Sequence, residues 1–314
     1  MEHIDVVVVG AGISGIGAAY NLKTRCPQKT YTILEGRSNL GGTWDLFKYP
    51  GIRSDSDMHT MGFKFKPWRS PKTIADAPSI LEYLNETVDE FDLRKKIQFN
   101  KKVISALWSS PDALWYLKVE DQENNSVVEM TCNILYLCGG YYNYDEGYTP
   151  EFKNVEAFEG EIIHPQKWPE ELDYSDKKVV VIGSGATAVT IVPAMSEKVK
   201  HITMLQRSPT YYFAAPDEDK IGNFIKKFTT DRLGYFLVRW KNILMQRFML
   251  NRLRRNPEKT KEMLINHVRG YLGEDYDVDK HFTPRYMPWD QRLCFVPNGD
   301  MFNAINSGKA SVVT

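Results

Sequence analysis

Two glycine-spaced turns carry the most legible chemistry in this chain: Gly10-x-Gly12-x-x-Gly15 near the start and Gly183-x-Gly185-x-x-Ala188 past the middle. At this spacing the first glycine allows a tight turn. The second lets backbone approach a pyrophosphate, and the third position lets a helix pack close on a strand. Each helix start then offers unpaired N–H groups and the positive end of its dipole to the phosphates. The second strands of the two units end differently. The stretch "KTYTILEG" ends the first unit at Glu35, an acid placed for ribose hydroxyls. In "VKHITMLQRSPTYY" the matching position is Gln206, followed by Arg207 and Ser208. An Asp there would repel a 2′-phosphate, whereas an arginine accommodates one. The first site therefore suits FAD and the second NADPH, and two such sites on one chain imply hydride passing from nicotinamide to flavin.

The elements that must position these residues are equally plain. "IDVVVVG" is the unbroken apolar run of a parallel strand covered on both faces, and "KVVVIG" at Lys178–Gly183 repeats it. The expected fold is α/β: two Rossmann-like dinucleotide-binding domains, for FAD and NADPH, with a helical insertion in the second. The domain bounds read as 1–145 for the first segment of the FAD domain, 146–176 for a linker, and 177–314 for the NADPH domain. The insertion, at about 217–277, has apolar residues at helical spacing and many Lys and Arg.

Bulk properties remove other classes. Lys+Arg and Asp+Glu both number 40, a balance that argues against nucleic acid as a partner. No apolar run reaches membrane-spanning length, and the start lacks the basic region of a signal peptide. Cys26, Cys132, Cys138 and Cys294 show neither CxxC nor zinc spacing, so reduced thiols and a cytoplasmic location are expected, with no metal. No cysteine pair lies near Gly41–Trp44 to serve a disulfide reductase, and Ser14 and Ser184 lie in glycine turns with the wrong spacing for a GxSxG elbow. Gly42, Thr43 and Trp44 offer a second close backbone approach beside the first site. The aromatic run Trp44, Tyr49, Phe63, Phe65 and Trp68 reads as a wall around a flat cofactor, with Arg53 and Asp55 as its nearest ionisable groups.

Between the turns lies "FEGEIIHPQKWP", in which Pro165 and Pro169 hold His164 and Trp168 away from helical geometry. Phe158-x-Gly160-x-x-x-His164-x-x-x-Trp168-Pro169 resembles the FxGxxxHxxxW(P/D) fingerprint of the Baeyer–Villiger monooxygenases, which lies between two glycine turns in that family. "GGTWD", "YPGIRSD" and "CGGYYNY" are similar to the same family. "LFKYPGIRSDSDM", "GSGATAVT", "LQRSPTY" and "PWDQRLC" resemble its ethionamide-activating subgroup, and the likeness runs over essentially all 314 residues.

The resemblance implies roles. Gly10, Gly12, Gly15, Glu35, Gly42, Thr43, Trp44 and Asp55 would hold FAD; Gly183, Gly185, Ala188, Arg207 and Ser208 would hold NADPH. Arg292 would be the active-site arginine, with Asp55 steering a neighbouring arginine beside the flavin. A guanidinium keeps its proton and can stabilise an anionic C4a-peroxyflavin. His164 joins the candidate catalytic set as a hinge that couples NADPH binding to domain position. Gln291 stands where the family often has lysine, so no 2′-phosphate role passes to it. The expected reaction inserts one oxygen of O2 beside the carbonyl of a small apolar ketone to give an ester. S-oxygenation of sulfides or thioamides would be a side activity. The residues leave open a flavin-containing N/S-monooxygenase. Family members are longer, so C-terminal truncation and a catalytically silent nucleotide-binding remnant also stay open. The basic helical insertion is expected either to be solvated or to touch a membrane peripherally.

Overall fold

A computed structural model describes residues 1–314 and divides them into two compact units, Met1–Phe47 with Ala77–Lys167 and Lys48–Asp76 with Trp168–Thr314. The strands of the first unit are β1 (Glu2–Val9), β2 (Tyr31–Leu34), β3 (Ile97–Gln98), β4 (Lys101–Ser109), β5 (Leu114–Asp121) and β6 (Ser126–Leu137). Its helices are α1 (Ile13–Arg25), the single turn α2 (Thr43–Leu46) and, beyond an excursion that includes α3 (Met58–Met61), α4 (Ala77–Glu90).

The six strands form one sheet in the order β3-β2-β1-β6-β5-β4. β1 pairs in parallel with β2 and β6. Its valines Val6, Val7 and Val8 are buried, as a strand covered on both faces requires. Helix α1 turns Gly15, Ile16 and Ala19 inward, and α4 buries Ile80, Leu84, Thr87 and Val88 at helical spacing. β4, β5 and β6 form an antiparallel meander that adds Leu117, Val119, Met130 and Cys132 to the core around Val7 and Leu34.

The second unit has β7 (Lys178–Ile182), α5 (Ala186–Ser196), β8 (His201–Leu205), β9 (Tyr211–Ala215), α6 (Lys220–Lys227), α7 (Asp231–Arg255), α8 (Pro257–Leu272), α9 (Val278–His281), β10 (Leu293–Pro297), α10 (Asp300–Asn306) and β11 (Ala310–Val313). Parallel strands run in the order β11-β8-β7, with β10 and β9 as a separate parallel pair. Val189 and Val192 of α5, Ile202 and Met204 of β8, Val296 of β10 and Phe302 of α10 share its core. Both units thus have the parallel-sheet, strand–glycine–helix build expected, and α6–α9 form the helical insertion. No helix is long and apolar enough to cross a membrane.

The compact units divide the 146–176 linker at Lys167–Trp168, and they differ from the sequence-read domain bounds in one further respect. Lys48–Asp76, which fell within 1–145, packs with the second unit. The cause is a set of long-range polar contacts. Asn242 and Gln246 of α7 donate to the Asp57 carboxylate at 3.0 and 2.7 Å. Arg239 donates to the carbonyls of His59 and Gly62, and Tyr235 to that of Phe63. The aromatic wall is redistributed accordingly. Trp44 stays in the first unit, while Tyr49, Phe63, Phe65 and Trp68 belong to the second, where Phe63 and Trp68 are buried.

Candidate functional site

The first glycine turn is built into its sheet. A Cβ at Gly15 would lie 1.8 Å from the Gly10 carbonyl oxygen, and one at Gly10 (φ +103°) would lie 2.7 Å from that of Cys138. Neither position admits a side chain without moving backbone. Gly12 is different: a Cβ there would meet only Gly42 backbone, at 3.7 Å, so it opens onto a slot between two glycine turns. Gly12 caps α1 without a side-chain hydrogen bond, and no acid stands in the helix's first turn. Uncapped N–H groups beside a slot that a methyl would fill are what a pyrophosphate requires, so these residues fit a dinucleotide.

Glu35 is buried at the end of β2. Its Oε2 accepts from the Ala11 N–H at 2.7 Å and its Oε1 from the Arg37 N–H at 3.0 Å. The acid thus fixes the glycine turn itself, while each oxygen keeps a lone pair for a further donor.

Two residues not foreseen as site residues complete this end. Arg37 pairs with Asp45 at 2.8 Å, donates to the Gly42 carbonyl, and lies 5.9 Å from the Tyr144 ring centre. The Tyr144 hydroxyl comes within 3.4 Å of where a Gly42 Cβ would be. Burial first, and the nearby Glu35 charge, push its phenol upward, against a hydrogen bond with Thr43. A basic residue two places after Glu35 was a readable signal; Tyr144 ends the family-like stretch "CGGYYNY", but its approach to Gly42, about a hundred residues away, left none. Gly42, Thr43 and Trp44 lie at the start of α2, so the structure gathers Gly10, Gly12, Gly15, Glu35 and this turn at the carboxyl ends of β1 and β2. Asp55 lies in the other unit.

The second turn is open. An added Cβ at Gly183 (φ +134°) or Gly185 meets nothing within 4 Å. Gly185 caps α5 with neither a side-chain hydrogen bond nor an acid in the first turn, and Ala188 is buried where helix meets strand. The cradle therefore also fits a phosphate-bearing ligand. Polar groups support it from below. The Tyr212 hydroxyl donates to the Ser184 carbonyl at 2.9 Å, and Ser184 Oγ donates to the Ser208 carbonyl and contacts Thr210 Oγ1. Gln206 turns inward to the His281 carbonyl and Thr314 hydroxyl, leaving Arg207 and Ser208 exposed at the rim.

Arg292 is exposed immediately before β10, and Asp55 is exposed in the Lys48–Asp76 segment. Both act on the buried Cys294 thiol. Burial pushes that thiol up to about 11; Asp55 adds to the rise and Arg292 opposes it. The thiol therefore stays protonated at neutral pH. Arg53, two residues before Asp55, is held instead by Asp300 at 2.5 Å.

His164 belongs to the first unit. Its ring lies on the Gly147 backbone, where a Cβ would be 2.1 Å from Cε1. Its Nδ1 accepts from the Gln166 N–H at 3.2 Å, which leaves the neutral ring's proton on Nε2. Gln166, buried, donates to the Asn143 carbonyl. Between His164 and Trp168, Pro165–Lys167 make one 3-10 turn, since proline's fixed φ suits a helix start. Phe158 lies over Gly160, whose Cβ would be 2.6 Å from the ring. Trp168 packs edge-on to Tyr174 in the second unit, so the chain passes between units inside the fingerprint, at Lys167–Trp168.

Comparison with known proteins gives a consistent picture. The profile of the flavin-binding monooxygenase-like family matches residues 4–263. The chain is 53% identical over 314 residues to "FAD-containing monooxygenase EthA" of Mycobacterium tuberculosis, covering 100% of this chain and 64% of that protein. It is 50% identical to "Probable FAD-binding monooxygenase AlmA" of Acinetobacter baylyi, with 100% and 63% covered. The chain thus spans less than two thirds of the length of these relatives. Among solved structures, a steroid monooxygenase bound to NADP superposes with a TM-score of 0.80 at 23% identity, over 99% of this chain and 65% of that one. A cyclohexanone-bound cyclohexanone monooxygenase gives 0.78 at 22%, over 100% and 66%.

Proposed function

Because the chain belongs to the flavin-binding monooxygenase-like family, we propose that it serves an FAD-dependent, NADPH-consuming monooxygenase that inserts one oxygen of O2 beside a ketone carbonyl. S-oxygenation of sulfides or thioamides accompanies it as a side activity. The observation that carries this reading is the pair of unlike cradles: one slotted and closed by Glu35, the other open and rimmed by Arg207. Cyclohexanone in a structural neighbour supports a small apolar ketone as substrate. The free cysteines suit a reducing, cytoplasmic setting, and the helical insertion adds peripheral membrane contact.

When bound, FAD supplies a ring that accepts hydride and then activates oxygen. The chain's residues do the rest. Gly12 and the α1 N-terminus would hold the FAD pyrophosphate, and the free lone pairs of Glu35 its ribose. Gly183, Gly185 and the α5 N-terminus would hold the NADPH pyrophosphate, with Arg207 and Ser208 on its 2′-phosphate. Arg292 would stabilise negative charge on the oxygen to be delivered, and having no proton to lose at neutral pH it keeps that oxygen nucleophilic. Asp55 would orient this arginine. His164 acts through position: its ring fixes the backbone just before the chain leaves the first unit.

The test is Arg292→Ala. NADPH-driven bleaching of the flavin band should persist, while ester formation falls by roughly 10²–10³-fold. Oxygenation at the parent rate would remove Arg292 from the mechanism, and a colourless protein that NADPH does not perturb would remove the flavoenzyme reading.

A further inference from the structure

Helix α7 is apolar on two opposite sides, and only one of them is used. Its inner side buries Tyr235, Val238 and Asn242 and carries the polar ties to the Lys48–Asp76 segment. On the outer side Leu233, Leu237, Trp240, Leu244 and Phe248 recur at steps of four, three, four and four, one stripe along the helix. These five are 40–64% exposed. Helix α6 lies against α7, with Gly222 facing Val238, and displays Ile221, Phe224 and Phe228 at 66–69% exposure. Two aromatic pairs, Phe224–Phe228 and Phe236–Trp240, sit in this exposed region.

The charge around the stripe is one-sided. In a chain of zero net charge, Lys220–Arg255 holds ten Lys and Arg and one acid, Asp231, which pairs with Arg69. Three of the ten are spent inside the unit: Lys226 on the Ser70 carbonyl, Arg239 on carbonyls and Lys241 on Asp219. The remaining seven are exposed and have no carboxylate partner, among them Arg247, Arg252, Arg254 and Arg255 at one end of the stripe. Favourable placement at a helix C-terminus explains Lys227 and the last-turn arginines but not Lys220, Arg232 or Arg247.

We propose that the outer face of α6 and α7 docks on an anionic lipid surface, the apolar stripe entering the headgroup boundary and the unpaired cations meeting lipid phosphates. An apolar row flanked by Lys and Arg, with a tryptophan among it, has the make-up of an interfacial helix. A second copy on the same face would set cation against cation, and nucleic acid would leave the Leu and Phe stripe unburied. The proposal deepens the peripheral-contact part of the proposed function and is independent of its redox part.

The test is co-sedimentation of the 314-residue protein with vesicles of phosphatidylcholine alone or mixed with phosphatidylglycerol, at low and high salt. The protein should pellet with the anionic vesicles and be released by salt. Partition should fall at least about tenfold when Arg247, Arg252, Arg254 and Arg255 become glutamine. It should fall similarly in Leu244→Ser/Phe248→Ser, with circular dichroism and melting unchanged in both variants. Brominated lipid should quench the parent more than Trp240→Phe. Three outcomes overturn the proposal: no partition into anionic vesicles, partition unchanged in either variant, or self-association that the same substitutions abolish. Flavin absorbance read on the same sample separates the two readings. Colourless protein that still pellets leaves docking intact, and yellow protein that stays in solution removes docking alone.

Discussion

The two glycine turns have nearly the same sequence pattern and opposite surroundings. Around the first, Gly10 and Gly15 are walled by backbone, Glu35 is bonded to the turn itself, and Arg37 and Tyr144 close over Gly42. Around the second, neither Gly183 nor Gly185 has a neighbour within reach of a Cβ, and Arg207 lies exposed. A cradle that is part of the sheet's own packing suits a group that stays. A cradle open to solvent suits one that comes and goes. Under the proposed function, the first would be the form of a resident flavin site and the second that of an exchanging nicotinamide.

Substitutions can break this contrast. Gly15→Ala should have the largest effect, because the methyl would overlap the Gly10 carbonyl. A loss beyond about 4 kcal/mol, seen as collapse of the melting transition, is expected. Glu35→Ala strips acceptors from the buried Ala11 and half-buried Arg37 N–H groups and should lower stability by about 2–3 kcal/mol in urea unfolding, with flavin lost from the protein. Arg207→Ala should leave melting unchanged and reduce the preference for NADPH over NADH by roughly 10–100-fold in reductive kinetics. Gly185→Ala should have the smallest and most telling effect. Its backbone, at φ −84°, accepts alanine, so the protein without nucleotide should gain about 0.4–1 kcal/mol while KM for NADPH rises. If Gly15→Ala and Gly185→Ala destabilised equally, the contrast would be wrong.

The units should differ in acid as well. His59 is fully buried in the second unit, and burial, helped by Lys226 against Asp57, lowers it to about 4 from an ordinary 6.5. The folded state therefore binds fewer protons than the unfolded chain between these values. Its contribution is intact above pH 6.5, is lost as pH falls towards 4 at about 1.4 kcal/mol per pH unit, and levels off below. Subtracting the pH–stability curve of His59→Gln from that of the parent should isolate this slope; a flat difference would show that His59 is not held neutral.

Much of this was readable because it is local. Runs such as Val6–Val9 and Val179–Ile182, and glycines at fixed steps, fix strand, turn and helix within a few residues. The β4–β5 hairpin was not readable: in "KKVISALWS" much of both faces is exposed, so no clean alternation marks it. Membership of Lys48–Asp76 in the second unit was hidden for another reason. It depends on pairs such as Asp57 with Asn242, 185 residues apart, which no window along the chain contains. Likewise Glu35 was correctly placed at a strand end, but its grip on Ala11 N–H is a matter of three dimensions.

That separation has a consequence for how the protein is made. The segment with Asp57, His59 and Phe63 leaves the ribosome long before its partners on α7 exist. At about 5–20 residues per second, 185 residues take roughly ten to forty seconds. Throughout that interval the strands before and after it can pair with one another, while the looped-out piece has only its own contacts, such as the Ser54 and Met58 N–H groups on the Ala75 and Thr73 carbonyls. The later half of the polypeptide supplies its partners on α7, so an early stretch completes its contacts only late in synthesis.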